Sequence, residues 1–116
     1  MSSAVCYHFT TAASTNLQPI RAAQTANLKG FSVANVATAI YIKFYWYPPT
    51  AASTTPTVGT TVPNLTVGVA ASANVSQSFP DGITGGGQLW VAVTANAVDS
   101  DSTAAAPGAV VTCLVE

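Results

Sequence analysis

Residues 27–47 read NLKGFSVANVATAIYIKFYWY and hold the two clearest strand patterns of this sequence. In the second pattern, bulky apolar residues alternate with a set dominated by tyrosine, which is typical of a strand with one face on a core. Residues 31–36 alternate in the same way, and Ala37 and Thr38 predict a hairpin tip between the two strands. Pro48 and Pro49 end the second strand, because proline has no N–H to donate to a neighbouring strand. The inward set is Ile40, Ile42, Phe44 and Trp46, and the outward set is Tyr41, Lys43, Tyr45 and Tyr47.

Further strand-like stretches are separated by turn residues along the whole chain, at residues 4–10, 16–22, 64–69, 74–79, 88–95 and 109–115. The best helical candidate, residues 11–25, contains Pro19 and lacks an apolar stripe. About eight strands without a helix predict a single all-β domain over residues 1–116, an antiparallel β-sandwich of jelly-roll type. We expect its core to contain Ile40, Ile42, Phe44, Leu65, Val67, Leu89, Val91 and Val93.

Two segments are candidate contact arms: the N-terminal segment 1–26 and the long loop 48–62, which is rich in Pro, Thr and Ser. Loops of this length are uncommon in compact domains and often functional, although a crossover between two sheets would also explain this one. Pro80, Asp81 and Gly82 predict a tight turn. Pro19 places its strand at a sheet edge or in a bulge.

Charged residues make up only 6% of the chain, against about 25% in an average globular protein. One explanation is an uncharged polar surface that stays soluble, and the other is an exterior largely covered by other subunits, where charge is costly to desolvate. The 3 Lys and Arg residues cannot neutralise many phosphates, so we expect no nucleic-acid partner. Neither a membrane-spanning run nor a signal-peptide pattern is present, so we expect no membrane partner.

Residues that could perform catalysis are scarce. His8 lies between aromatic residues in a predicted strand, without a nucleophile that the sequence places beside it. Asp99 and Asp101 suggest either a solvated loop or calcium ligands, but the stretch lacks the spaced ligands of an EF-hand. The glycines at 85–87 are not followed by the Lys-Ser/Thr of a phosphate-binding loop and indicate a flexible turn. We therefore expect no enzymatic activity, no cofactor and no metal.

Aromatic residues are the best candidates for an interface. A row of tyrosines on one strand face could stack on sugar rings, pack against a second subunit, or lie under a loop of the same chain. The candidate interface residues are Tyr41, Tyr45, Tyr47, Pro48, Pro49 and Trp90.

Four motifs give the chain a resemblance to a group of small tailed-phage structural proteins. They are YIKFY from Tyr41, PTVGTTVPNLTVGV from Pro56, SFPDGI from Ser78 and LWVAVTANAVDSDST from Leu89. The resemblance extends from Asn27 to the C-terminus. The GGGQL turn departs from the pattern, and the N-terminal segment has no counterpart in it.

The resemblance implies a virion component without enzymatic activity: a head decoration, or cement, protein on the outside of the capsid. It implies a homotrimer bound to the major capsid protein, located at the capsid surface after assembly in the host cytoplasm. Two alternatives stay open. One is a tail or fibre component of the virion, and the other is a carbohydrate-binding module that uses the tyrosines or Trp90 on a host-surface glycan.

Cys6 and Cys113 lie near opposite ends of the chain, without metal or redox spacing. The first and last strands of a jelly roll are antiparallel neighbours, which predicts that the two cysteines lie near one another. Because assembly in a reducing cytosol keeps thiols reduced, we expect both to be free.

Overall fold

The computed structural model describes residues 5–21, 26–47 and 55–116. These residues contain eight strands and no helix, which confirms the all-β prediction. Since the described residues form no helix, none of them provides a helical membrane span. The strands are β1 (Val5–Thr10), β2 (Gln18–Arg21), β3 (Leu28–Ala34), β4 (Ile40–Trp46), β5 (Leu65–Val69), β6 (Asn74–Ile83), β7 (Leu89–Thr94) and β8 (Val110–Val115).

The strands form two four-stranded antiparallel sheets that pack as a sandwich. Sheet 1 has the order β1-β8-β3-β6, and sheet 2 has the order β2-β7-β4-β5. The first and last strands are neighbours, and the interleaved order is that of a jelly roll, as the sequence predicted.

The predicted hairpin at Ala37 and Thr38 is wrong, because β3 belongs to sheet 1 and β4 to sheet 2. The connection crosses the end of the sandwich, where the side chain of Asn35 fixes the corner. Its Nδ2 donates to the carbonyl oxygens of Thr38 at 2.9 Å and Ala70 at 3.0 Å. Each strand instead has two partners in its own sheet: β8 and β6 flank β3, and β7 and β5 flank β4.

The core lies between the two sheets and matches the prediction closely. Leu65 and Val67 are only half-buried against this core, since β5 is an edge strand. The rings of Phe31 and Phe44 connect the sheets, with centroids 5.7 Å apart. The other predicted core residues are fully buried: Ile40, Ile42, Phe44, Leu89, Val91 and Val93.

Proline and glycine shape the edge strands. The predicted turn at Pro80, Asp81 and Gly82 does not end β6 but forms a bulge inside it. Leu28 pairs with Ile83 and Gly30 with Ser78, so four residues of β6 lie opposite one residue of β3. An edge strand tolerates this, because its outer side has no partner to lose. Pro19 lies in edge strand β2 beside a register shift, as expected.

The two predicted arms are partly described. In the N-terminal segment, residues 5–21 form β1, β2 and their connection, so this part belongs to the sandwich rather than standing apart from it. The loop 48–62 joins β4 to β5, which are neighbours in sheet 2, so the crossover explanation is wrong. Pro48 and Pro49, with the rest of residues 48–54, lie outside the described residues.

Candidate association surface

The predicted interface aromatics lie together on the outer face of sheet 2. Tyr45 of β4 is paired with Trp90 of β7, and Tyr41 lies further along β4 on the same face. Tyr41, Tyr47 and Trp90 are half-buried, whereas Tyr45 is 0% exposed. The tyrosine row was expected to stack on sugars, to pack against a second subunit, or to lie under a loop of the same chain. Tyr45 has the last of these positions, because other parts of the chain cover it. The row is therefore not a continuous aromatic platform.

A loop over residues 95–103 covers part of this outer face, and Lys43 of β4 holds it in place. Lys43 is fully buried, and its Nζ donates to the carbonyl oxygens of Val98 at 2.7 Å and Asp101 at 3.2 Å. The Asp101 carboxylate accepts hydrogen bonds from the backbone N–H of Asn96 at 3.0 Å and the Thr103 hydroxyl at 2.7 Å. These contacts close the loop on itself and on β4, so we call residues 95–103 the covering loop.

The charges of the covering loop follow from this geometry. The hydrogen bond from Thr103, with those from Asn96, lowers the pKa of Asp101 to about 2. Burial lowers the pKa of Lys43, and the nearby charges of Asp101 and Asp99 partly oppose that shift. Burial also raises the pKa of Tyr45, with Asp99 adding to the effect. The Asp101 carboxylate thus holds the covering loop together, and the charge of Asp99 acts on Lys43 and Tyr45.

Catalytic and metal-binding candidates remain dispersed. His8 Nδ1 lies 3.0 Å from the Thr112 hydroxyl, across the β1–β8 pair. Within residues 5–21, 26–47 and 55–116, no three His, Cys, Asp or Glu residues come together as metal ligands would. The buried Tyr45 Oη and Trp90 Nε1 have no hydrogen-bond partner in the same ranges.

The outer face of sheet 1 is open. A shallow depression of about 250 Å³ lies over Gly30 and is lined by small or uncharged side chains, with Lys29 as the charged residue among those described. The lining includes Cys6, Ser32, Ser76, Ser78, Thr112 and Leu114, and we call this surface the open face. The sequence analysis did not predict this surface. Ser76 and Ser78 at alternate positions of β6, with Ser32 in β3, were a signal that these strands carry small polar groups outward.

The two cysteines are free and lie on adjacent strands, as expected. Cys6 pairs with Leu114, and Tyr7 pairs with Cys113, so the cysteines are one register position apart. Successive side chains of a strand point to opposite faces, so Cys6 is exposed on the open face while Cys113 is buried in the core. Burial raises the pKa of the Cys113 thiol to about 12, which makes it unreactive at neutral pH.

Comparisons with known proteins leave the family open. No protein-family model matches the chain, and no curated protein matches it. A similar solved structure comes from work on Bacillus endospore appendages, described as a novel family of disulfide-linked pili. The similarity covers 97% of this chain and 82% of that chain, with 20% identity and a TM-score of 0.44. Similarity at this level carries no argument about function, and the resemblance to phage proteins stays a prediction.

Proposed function

We propose that this chain is a structural subunit that works by association, as a decoration protein on the outside of a tailed-phage capsid. The sequence motifs suggest the phage, and the open face is the observation that supports association. In this proposal a homotrimer binds the major capsid protein at the capsid surface, after assembly in the host cytoplasm.

The two outer sheet faces differ in a way that favours the open face as the contact surface. The outer face of sheet 2 is partly covered by the covering loop, and Lys43, Tyr45, Ala92 and Thr94 beneath it are fully buried. No segment among residues 5–21, 26–47 and 55–116 covers the open face in this way, yet it carries Ser, Thr, Cys and Leu where a solvated sheet commonly carries charge. Interface centres are depleted of charge, because desolvating an ion is costly.

Contacts of this kind are individually weak, and many copies on a lattice add them together. With few charges involved, binding should depend on apolar and hydrogen-bonded contacts. We therefore expect the affinity for capsids to fall less than about threefold between 50 and 300 mM salt, because screening acts on charge pairs. A steep salt dependence would contradict an uncharged contact surface.

The experiment is co-sedimentation of the purified chain with empty capsids of the phage whose genome carries this sequence, followed by heating of the capsids. Ser32→Glu with Ser76→Glu places two charges on the open face and should weaken binding by at least tenfold. Val98→Glu is the matched control, because Val98 is 63% exposed on the opposite side of the sandwich and its contact with Lys43 is made by the backbone carbonyl oxygen.

We expect the unmodified chain and the control to bind and to raise the temperature at which capsids break. Equal binding by the double variant would exclude the open face as the contact surface. If the unmodified chain does not bind capsids but is found in the tail of the virion, it is a tail or fibre component. Binding to a glycan array without capsid binding would favour the carbohydrate-binding alternative.

A further inference from the structure

Four strands lie at the edges of the two sheets: β1 and β6 in sheet 1, and β2 and β5 in sheet 2. An edge strand presents unpaired N–H and C=O groups that can pair with another chain. Soluble proteins usually block such edges with proline, charged side chains, bulges or covering segments.

Two of the edges have devices of this kind, and a third edge strand is held at one end by a side chain. In β2, Pro19 is followed by a register shift before Arg21. In β6, Pro80 and Asp81 lie in the bulge. At the end of β5, the amide of Asn35 donates to the carbonyl oxygens of Val69 and Ala70.

The edge strand β1 has none of them. Its sequence, VCYHFT, contains no proline and no Lys, Arg, Asp or Glu. It pairs with β8 over six consecutive positions without a register shift. Val5 is 55% exposed, and Cys6, His8 and Thr10 are exposed as well. Within the described residues, β1 has no strand on its other side.

The hydrogen bonds at the end of β1 show which of its backbone groups face outward. Thr11 bonds towards β8, because its N–H donates to Ala109 at 2.8 Å and its C=O accepts from Gly108 at 2.9 Å. Backbone groups of successive residues alternate between the two sides of a strand. Tyr7 and Phe9 therefore also bond to β8, and Cys6, His8 and Thr10 direct their N–H and C=O groups away from the sheet.

A second set of contacts gives the same result. Asn27 and Glu116 exchange backbone hydrogen bonds of 3.0 and 2.9 Å across the β3–β8 pair. Glu116 therefore faces β3, and by alternation so do Leu114 and Thr112. This leaves Cys113 and Val111 to bond to β1, opposite Tyr7 and Phe9.

We propose that β1 pairs antiparallel with β1 of a second copy of this chain, across a twofold axis at His8, to form a continuous eight-stranded sheet. In this register His8 faces the second copy's His8, and Cys6 faces the second copy's Thr10. Each of the three outward residues donates one hydrogen bond and accepts one, which gives about six between the copies.

A second copy is the occupant favoured by symmetry and charge. A twofold axis makes the pattern of outward groups self-complementary, so every outward donor of β1 finds an acceptor. No Lys, Arg, Asp or Glu side chains oppose one another in this pairing, because β1 contains none of them. Pairing also places two open faces side by side. The inference goes beyond the proposed function, because it concerns the purified chain and needs no capsid.

The mass of the purified chain in solution tests the proposal. We expect an even number of copies by sedimentation velocity at about 50 µM: two if single chains pair, or six if the pairing joins two of the proposed trimers. His8→Pro should give half that number. A proline at position 8 removes only an outward N–H, so the pairing with β8 stays intact. His8→Lys should act in the same way, by placing two charges opposite one another. Ser76→Lys is the matched control, since it adds a charge to the same face at the opposite edge of sheet 1.

Cross-linking tests the register independently of any folding defect. In Thr10→Cys, the new thiol should lie opposite the second copy's Cys6, with the Cα atoms about 5.5 Å apart, which suits a disulfide. Copper–phenanthroline with oxygen, which accepts the two thiol electrons, should convert most of this variant into covalent dimers. The same variant with Cys6→Ser should remain monomeric on a denaturing gel, as should Ser76→Cys with Cys6→Ser.

Several results would overturn the proposal. One is an unmodified chain that stays monomeric at 200 µM, and another is an odd number of copies. A third is an unchanged mass for His8→Pro and His8→Lys, and a fourth is no cross-linking of Thr10→Cys. Loss of capsid binding by the open-face variant, with the dimer intact, would separate this inference from the proposed function.

Discussion

Replacing Phe44 with alanine tests how the two sheets are held together. Phe44 lies in the centre of β4, is 0% exposed, and faces the interior between the sheets. Its ring is tilted at 44° to that of Phe31, with centroids 5.7 Å apart. Phe31 also contacts Phe79 at 6.0 Å, so the Phe44 ring belongs to a chain of three aromatic residues across the core.

The expected loss of unfolding free energy for Phe44→Ala is about 3–5 kcal/mol, the usual result of deleting a buried aromatic side chain. About 0.5–1.5 kcal/mol of this reflects the ring–ring contact with Phe31. The rest comes from lost burial and from the cavity that a rigid β4, paired on both sides, cannot close. A domain of this size has about 5–15 kcal/mol of total stability, so the variant should remain folded but be much weakened.

The measurement is urea denaturation followed by tryptophan fluorescence, with far-ultraviolet circular dichroism as a second probe. Val62→Ala is the control, because Val62 is 67% exposed and its change should stay within about 0.5 kcal/mol. A loss below about 1 kcal/mol for Phe44→Ala would refute the account of the core, since it would mean that the ring is not enclosed between the sheets.

Three other changes test the loop, the cysteines and the corner. The pKa of Asp101 is lowered to about 2 in the folded chain, so its contribution to the free energy of unfolding is complete above pH 4 and is lost as the pH falls towards 2. Asp101→Asn should flatten this part of the curve of stability against pH, measured by urea denaturation. Iodoacetamide at pH 8 should label Cys6 at least tenfold faster than Cys113 in the native chain, as peptide mass spectrometry would show, and equal rates would contradict their opposite faces. Asn35→Ala should cost about 1–3 kcal/mol in thermal or chemical unfolding, because the corner loses the two hydrogen bonds that the buried Asn35 amide donates to the carbonyl oxygens of Thr38 and Ala70. No loss would mean that the corner holds without it.

Local patterns in the sequence predicted much of the sandwich. Alternation assigned Ile42 and Phe44 to the interior, because a strand directs successive side chains to opposite faces whatever it pairs with. Pro19 marked an edge strand for the equally local reason that it lacks an N–H. The jelly-roll order also agreed with the expectation.

What the sequence determined by itself was therefore the strands, their inward faces and the scarcity of charge, which all depend on residue type and spacing. Only the tertiary structure decided which surfaces stay open. Tyr45 alternates as an exposed residue should, yet it is buried because the chain returns to cover β4 after three further strands. The free edge of β1 and the uncovered open face arise in the same way, from segments far apart in sequence that meet or fail to meet in the folded chain. Local spacing carries no information about such encounters, because they depend on the packing of the whole domain.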